Sequence, residues 1–444
     1  MNRCIFNLAV ALTLILSGAL GRAQNSVLTS YPAGPNALYS GGVKIAVGAP
    51  IYFSSGGGAG KDGGATMKAQ ALTAMAKLKD NISHAGFKLS DVVFVRAYLA
   101  PGADGTIDYA GWNAAWSEVF GNASMPNKPA RTTVGLPKLG GPTALIEIEY
   151  VCAAPPSPEI FESAAKQGLP VSNPHLKPYG TKEARIYTGT GVTGGTALYW
   201  TAGSTAGKDG GTDTKTQAVT ALTKLKENLA AAGLTFKDVV FLRALVGPDK
   251  NKGGKHDLDG WNEAYGQFFN SADNPHKPSR TSIPIETFGG TTLIEIEIIA
   301  AFPAPPPQFA SEDTSAVSLK DYGDAKAVIS SGVAVPENRS FYFSAGVLPS
   351  VDGDMKAQAG SALKTLQARL AEAGLSFKDV TFLRAYVVPE ADGNVDRKGW
   401  GDVYGEYFNN PSNPHKPART TVAIKSLPKA GAKIEIDVIA VSSK

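Results

Sequence analysis

Residues 413–441 read NPHKPARTTVAIKSLPKAGAKIEIDVIAV, and the chain writes nearly the same stretch twice more. It appears as NKPARTTVGLPKLGGPTALIEIEYVCA at 127–153 and as NPHKPSRTSIPIETFGGTTLIEIEIIA at 274–300. Each version sets an arginine, Arg131, Arg280 or Arg419, before a β-branched run. Each then places a glutamate, Glu147, Glu295 or Glu435, in the next such run, 16, 15 and 16 residues later. Successive arginines lie 149 and 139 residues apart. That period is too long for a solenoid unit and suits a whole domain.

The copies agree outward from these stretches. IYFSSGG (51–57), LYWTAGS (198–204) and FYFSAGV (341–347) are aromatic, β-branched runs stopped by glycine, as a strand entering a turn requires. Next come apolar triplets at offsets of three and four: Met75, Leu78, Ile82; Leu222, Leu225, Leu229; and Leu363, Leu366, Leu370. Such spacing puts each triplet on one face of a helix. Gly86, Gly233 and Gly374 follow, where a left-handed residue closes the helix. DVVFVRAYL, DVVFLRALV and DVTFLRAYV then read as buried strands, and a second amphipathic helix follows around Trp112, Trp261 and Trp400. The arginine-led strand and the IEIE-type strand close each unit, with one or two extra strands expected before it, at 37–47 and its counterparts. The order strand, helix, strand, helix, strand, strand predicts an α+β unit with helices on one face of a mixed sheet. Proline clusters at 153–158 and 302–307 mark linkers. The expected division is 1–23, 24–154, 155–302 and 303–444.

The unit resembles the Rid family of imine deaminases, also called YjgF-type or perchloric-acid-soluble endoribonuclease-like proteins. The carriers are the turns Pro129-Ala130-Arg131, Pro278-Ser279-Arg280 and Pro417-Ala418-Arg419, together with the IEIE strands. The resemblance implies three tandem chorismate-mutase-like domains that form a pseudo-trimer within one chain, with ligand clefts between copies. A threefold ring of heterologous contacts closes on itself, so the expected assembly is a monomer.

By the same resemblance, Arg131, Arg280 and Arg419 clamp a carboxylate, and Glu147, Glu295 and Glu435 direct a water. A guanidinium fork matches a carboxylate with two parallel hydrogen bonds. A 2-imino acid carries that carboxylate beside its electrophilic C=N carbon, so holding one end positions the other. A partly buried glutamate can move the protons. The expected products are a 2-oxo acid and ammonia, with no cofactor and no metal. Many catalytic members have a cysteine two residues after the arginine; here Thr133, Ser282 and Thr421 stand there, each still able to donate a hydrogen bond. A serine at the first strand's end is matched by Ser55, with Ala202 and Ala345 in the other copies. Tyr39 and Tyr187 match a ligand-facing tyrosine, with Ile329 in copy three; Asn113 and Asn262 match an asparagine of the second helix, with Gly401 in copy three. Copy three is therefore expected to be degraded.

Glu149, Glu297 and Asp437 lie two residues past the first carboxylates and share their strand face. Buried carboxylates must be paired. Arg96, Arg243 and Arg384, inside otherwise apolar strands, are the expected structural partners.

Other features bound the function. Lys+Arg 43 against Asp+Glu 39 gives +4, with no basic run, which disfavours nucleic acid as a partner. The N-terminus carries Arg3, a short apolar run and small residues around Ala23, as an export signal does, and the expected protein is exported, periplasmic or secreted, and free of the membrane after cleavage. Only Cys152 would remain, so no intrachain disulfide is expected. The glycine-rich stretch 54–66 lacks the phosphate-loop pattern at two positions and reads as a flexible turn. His276 and His415 recur, but Asn127 occupies the third position. The helical tryptophans, with Trp116, Tyr265 and Tyr404 beside them, read as core. A non-catalytic binder of small carboxylates and an endoribonuclease remain as alternatives to the deaminase.

Overall fold

The computed structural model describes residues 27–32, 38–54, 56–61, 63–139, 141–162, 164–183, 187, 189–201, 203–207, 210–288, 290–304, 319–322, 332–335, 338–427 and 429–442. The expected export signal, half of the second linker, Ser55, Ala202 and Ile329 lie outside these residues.

Each copy is built as its pattern predicts. In copy one the strand Ile51–Ser54 leads through a turn to the helix Met67–His84, then to the strand Val92–Leu99, the helix Tyr109–Val119 and the strands Ala130–Gly135 and Ile146–Ala153. Copy two repeats this with Leu198–Thr201, Thr214–Ala231, Val239–Val246, Leu258–Phe268, Ser279–Pro284 and Ile294–Ala301. Copy three uses Ser340–Ser344, Met355–Glu372, Val380–Val387, Arg397–Tyr407, Ala418–Ala423 and Ile434–Ser442. The long helices start at Thr66, Asp213 and Asp354, whose side chains accept a backbone N–H of the first turn. They end where Gly86, Gly233 and Gly374 take φ of +85°, +77° and +71°.

Within each copy the central strand pairs parallel with the arginine-led strand and antiparallel with the carboxylate strand, so the sheet is mixed. Both helices cover one face. The apolar triplets are fully buried there with Trp112, Trp261 and Trp400, giving each copy its own helix-side core.

The extra strands do more than precede their units. The hairpin Leu28–Pro32/Ser40–Ile45 of copy one pairs with Ser340–Ser344 of copy three. The hairpin Leu176–Tyr179/Gly189–Val192 of copy two pairs with Ile51–Ser54 of copy one. Lys320–Tyr322/Gly332–Val335 of copy three pairs with Leu198–Thr201 of copy two. Each copy thus lends a hairpin to its neighbour, and the three loans close a ring. The loan also moves a boundary. Phe161, Ala164 and Tyr179, expected to belong to the second unit, pack in the helix-side core of the first, because their hairpin must reach over that neighbour's sheet.

The other faces of the sheets turn to the ring's axis and stack in layers two residues apart along each central strand. Phe94, Phe241 and Phe382 form one layer in an apolar cluster that draws on all three copies. Arg96, Arg243 and Arg384 form the next. Tyr98, Leu245 and Tyr386 belong to a second apolar cluster beyond it.

The arginine layer is an ion ring. Arg96 donates to Glu149 at 2.6 Å and to both oxygens of Asp437 at 3.0 Å. Arg243 bridges Glu149 and Glu297, and Arg384 joins Glu297 to Asp437. The register sets this up, since Arg96, Arg243 and Arg384 lie directly opposite Glu149, Glu297 and Asp437. Burial would raise the Glu149 and Glu297 carboxyls, but their arginines outweigh it and hold both below the usual carboxylate range. The ring bears out the structural role read for the strand arginines. A space of about 40 Å³ is bounded by this ring and the phenylalanine layer. Among the described residues no helix is long and apolar enough to cross a membrane, and Cys152 is buried as a free thiol.

Candidate functional site at the seams between copies

The turn arginines stay out of the ring. Each lies on the aromatic face of its own second helix: Arg131 over Trp112 and Trp116 at 5.4 and 4.8 Å, Arg280 over Trp261 and Tyr265 at 5.5 and 4.5 Å, Arg419 over Trp400 and Tyr404 at 5.7 and 4.3 Å. The aromatic residues read as core are therefore also the bed of the arginine, and cation–π attraction holds the planar fork flat. Tyr39 adds a third ring to Arg131, at 4.8 Å. Asn113 and Asn262 accept one Nη2–H each, at 2.9 Å, from Arg131 and Arg280. These asparagines aim the fork. Copy three has Gly401 there, with open space where a side chain would begin.

The first carboxylates meet the arginine of the next copy, not their own. Among the charged groups that lower each one, Glu147 feels Arg280, Glu295 feels Arg419, and Glu435 feels Arg131. Three equivalent seams result: copy one's glutamate with copy two's arginine, two's with three's, and three's with one's. Backbone contacts follow the same order. Gly203 N–H donates to the Arg419 carbonyl at 3.3 Å and Gly346 N–H to the Arg131 carbonyl at 3.2 Å, while Gly56 N–H donates to Thr281 Oγ1 at 2.9 Å. A Cβ on Gly56, Gly203 or Gly346 would overlap the carboxylate of Glu147, Glu295 or Glu435. These glycines let one copy's backbone touch the glutamate, a role that IYFSSGG, LYWTAGS and FYFSAGV concealed by reading as ordinary turns. Gly346→Ala is expected to cost about 1–3 kcal/mol through overpacking. Urea denaturation checks it, and an unchanged midpoint would show that the carboxylate has room to move.

Burial dominates the electrostatics. It pushes the Glu147 carboxyl up to about 7 and those of Glu295 and Glu435 to about 8, with Glu149, Glu297 and Asp437 two residues on as second causes. The arginines of the seams do not cancel this. Burial lowers Arg131 to about 10, which leaves it charged at neutral pH. Nη1 of Arg131 and of Arg419 and Oε2 of Glu435 are buried without a protein partner. Such groups are costly unless something satisfies them.

The remaining predicted residues fall differently. Thr133, Ser282 and Thr421 each accept the indole N–H of Trp112, Trp261 or Trp400, at 3.1, 2.8 and 3.1 Å. They brace the aromatic bed. Tyr187 lies opposite Ser279, the place Ser40 holds opposite Ala130. Its hydroxyl donates to the Pro170 carbonyl at 2.7 Å, and its ring lies under Lys277. Thr132, Thr281 and Thr420 went unnoticed in the sequence; their hydroxyls donate across the seams to Asp437, Glu149 and Glu297 at 3.2, 2.9 and 2.8 Å, tying each turn arginine's strand to the ion ring. His276 is structural: its ring meets the Val239 carbonyl at 2.6 Å, and burial lowers it to about 4. No cluster that could hold a metal occurs among the described residues.

The profile of the endoribonuclease L-PSP family matches three times, at residues 31–154, 184–302 and 325–442, most of the chain. The chain belongs to that family. Its members are also called Rid or YjgF proteins, and this one carries three tandem copies of the family's unit. Among characterised relatives, Protein DfrA of Myxococcus xanthus is 41% identical over 92 residues, which is 21% of this chain and 63% of DfrA. The match thus spans less than two thirds of that relative. A RutC family protein of Pyrococcus horikoshii is 37% identical over 108 residues, 23% of this chain and 79% of the relative. Among solved structures, the Rid protein YyfB of Yersinia pestis is 23% identical, covering 29% of this chain and 98% of its own at a TM-score of 0.25. A YjgF/YER057c/UK114 member from Mycobacterium tuberculosis is 24% identical, covering 24% and 86% at a TM-score of 0.20.

Proposed function

We propose that this Rid-family chain hydrolyses small 2-imino or enamine acids to 2-oxo acids and ammonia at the seams between its copies. One observation carries the reading. At the seam of copies three and one the buried Arg131 guanidinium acts on the buried Glu435 carboxyl, and among the described residues no ion pair joins the two. Evolutionarily cheap structural pairs look like the ion ring, where each charge is matched. Here Nη1 of Arg131 and Oε2 of Glu435, like Nη1 of Arg419, are left for something else, and a small carboxylate fits the fork.

With the substrate carboxylate on the arginine, the C=N carbon faces the glutamate. Water adds to that carbon while one of its protons passes to the carboxylate, which hands it to the imine nitrogen. The carbinolamine then collapses: the hydroxyl proton passes through the same carboxylate to the amino nitrogen, the C–N bond breaks, ammonia leaves and C=O forms. A carboxyl poised at about 7 to about 8 serves both directions near neutral pH. No cofactor takes part in these steps.

The test is a coupled assay in which an amino-acid oxidase generates the imino acid and release of the 2-oxo acid is followed. The protein is expected to accelerate it, and Arg131→Ala, Arg280→Ala and Arg419→Ala together are expected to remove the acceleration. Acceleration that survives all three changes would refute the clamp. A binder without turnover is the second reading, favoured by Gly401, which leaves Arg419 without the amide that aims Arg131 and Arg280. Calorimetry with 2-oxo acids beside a null turnover assay would select it.

A further inference from the structure

The three seams are not chemically equal, and the first residue of the second helix makes the difference. Asn113, Asn262 and Gly401 occupy the helix position that faces the turn arginine. Four residues earlier, on the same helical face, stand Tyr109, Leu258 and Arg397. Tyr109 spends its hydroxyl on Ser426 of copy three, 3.1 Å away. Leu258 offers no polar group. Arg397 is exposed and reaches across its seam, donating from Nη2 to the Phe288 carbonyl of copy two at 2.7 Å. No ion pair to Arg397 occurs among the described residues.

We infer that the seam between copies two and three is specific for small dianions, above all the imines of acidic amino acids and the corresponding 2-oxo dicarboxylates. This rests on the proposed function, in which Arg419 holds the first carboxylate; Arg397, at the mouth, holds the second. Two further features agree. Gly401 has open space where a Cβ would sit, at the position the other copies fill with an amide. Arg397 also acts on both members of this seam, opposing charge on Arg419 and favouring charge on Glu295. In copies one and two the first residue of the second helix, Tyr109 or Leu258, carries no cation, and those seams suit monocarboxylates.

Calorimetry of the full chain with 2-oxoglutarate and with 2-oxobutyrate tests this. 2-Oxoglutarate is expected to show one tight site per chain that 2-oxobutyrate lacks. Arg397→Leu, which installs copy two's residue on an exposed position, is expected to lower the preference for 2-oxoglutarate at least tenfold, and Arg397→Lys to retain part of it. Adding Leu258→Arg to Arg397→Leu should restore a preference at the seam of copies one and two. An unchanged ratio in Arg397→Leu, or three equal dicarboxylate sites, overturns the inference while leaving the seam reading intact. Binding of both acids that survives Arg131→Ala, Arg280→Ala and Arg419→Ala overturns the seam reading, and this inference with it.

Discussion

Glutamine at 147, 295 and 435 together is expected to cut imine turnover by about 10²–10⁴-fold, the usual contribution of a placed acid–base group. Carboxylate binding should persist, because the fork and its aromatic bed are untouched. The same variant makes a second, independent prediction. These carboxyls are raised in the folded protein above their unfolded value of about 4.5, so the folded state holds more protons across the interval up to about 8. Their contribution to stability is complete below the unfolded pKa and is lost as pH rises through the folded one. The amide variant should therefore match the parent near pH 4 and melt at a higher temperature at pH 9. Thermal scans at the two values decide it. Equal melting at pH 9 would mean that the seam carboxyls ionise without penalty, and the acid–base assignment would fall with them.

Arg243→Leu is expected to destabilise the protein by about 3–5 kcal/mol, as removal of one member of a buried charge network does. Arg243 serves two carboxylates from two copies, Glu149 and Glu297, so one substitution strands charge on both sides of a seam. Those carboxylates are held low, opposite to the seam glutamates. Their stabilisation is present above the unfolded pKa and is lost as pH falls through the folded one, which places acid sensitivity in the ring and alkaline sensitivity in the seams. Urea unfolding at pH 7 measures the loss; a change under about 1 kcal/mol would show that the ring charges find other partners or water.

Much of this was legible in the chain because periodicity and register are local. The triplets Met75, Leu78, Ile82 and their counterparts announce a helix face, and a spacing of two puts Glu149 on the face of Glu147. Pairing Arg96 with Glu149 needed only the expectation that buried charges are matched. What stayed hidden depends on which copy stands beside which. Nothing near Glu435 says that its arginine is Arg131, some three hundred residues away. The glycines at 56, 203 and 346 look like turn residues until the carboxylate of their own copy's last strand is seen against them. The glycine-rich hairpin around Tyr187 carries little apolar pattern to fix its register. The hairpin loans were missed for the same reason, since a strand's sequence records that it pairs but not with whom.

Ring closure within one polypeptide changes what a genetic lesion means. In an assembly of three identical chains every substitution is stamped on all the interfaces at once; here each interface is addressed by its own codons. Natural drift can retune one pocket while its siblings preserve the ancestral task, and an experimenter can mute them singly. Because the partners are tethered, dilution does not separate them, so any such change is read against a fixed stoichiometry.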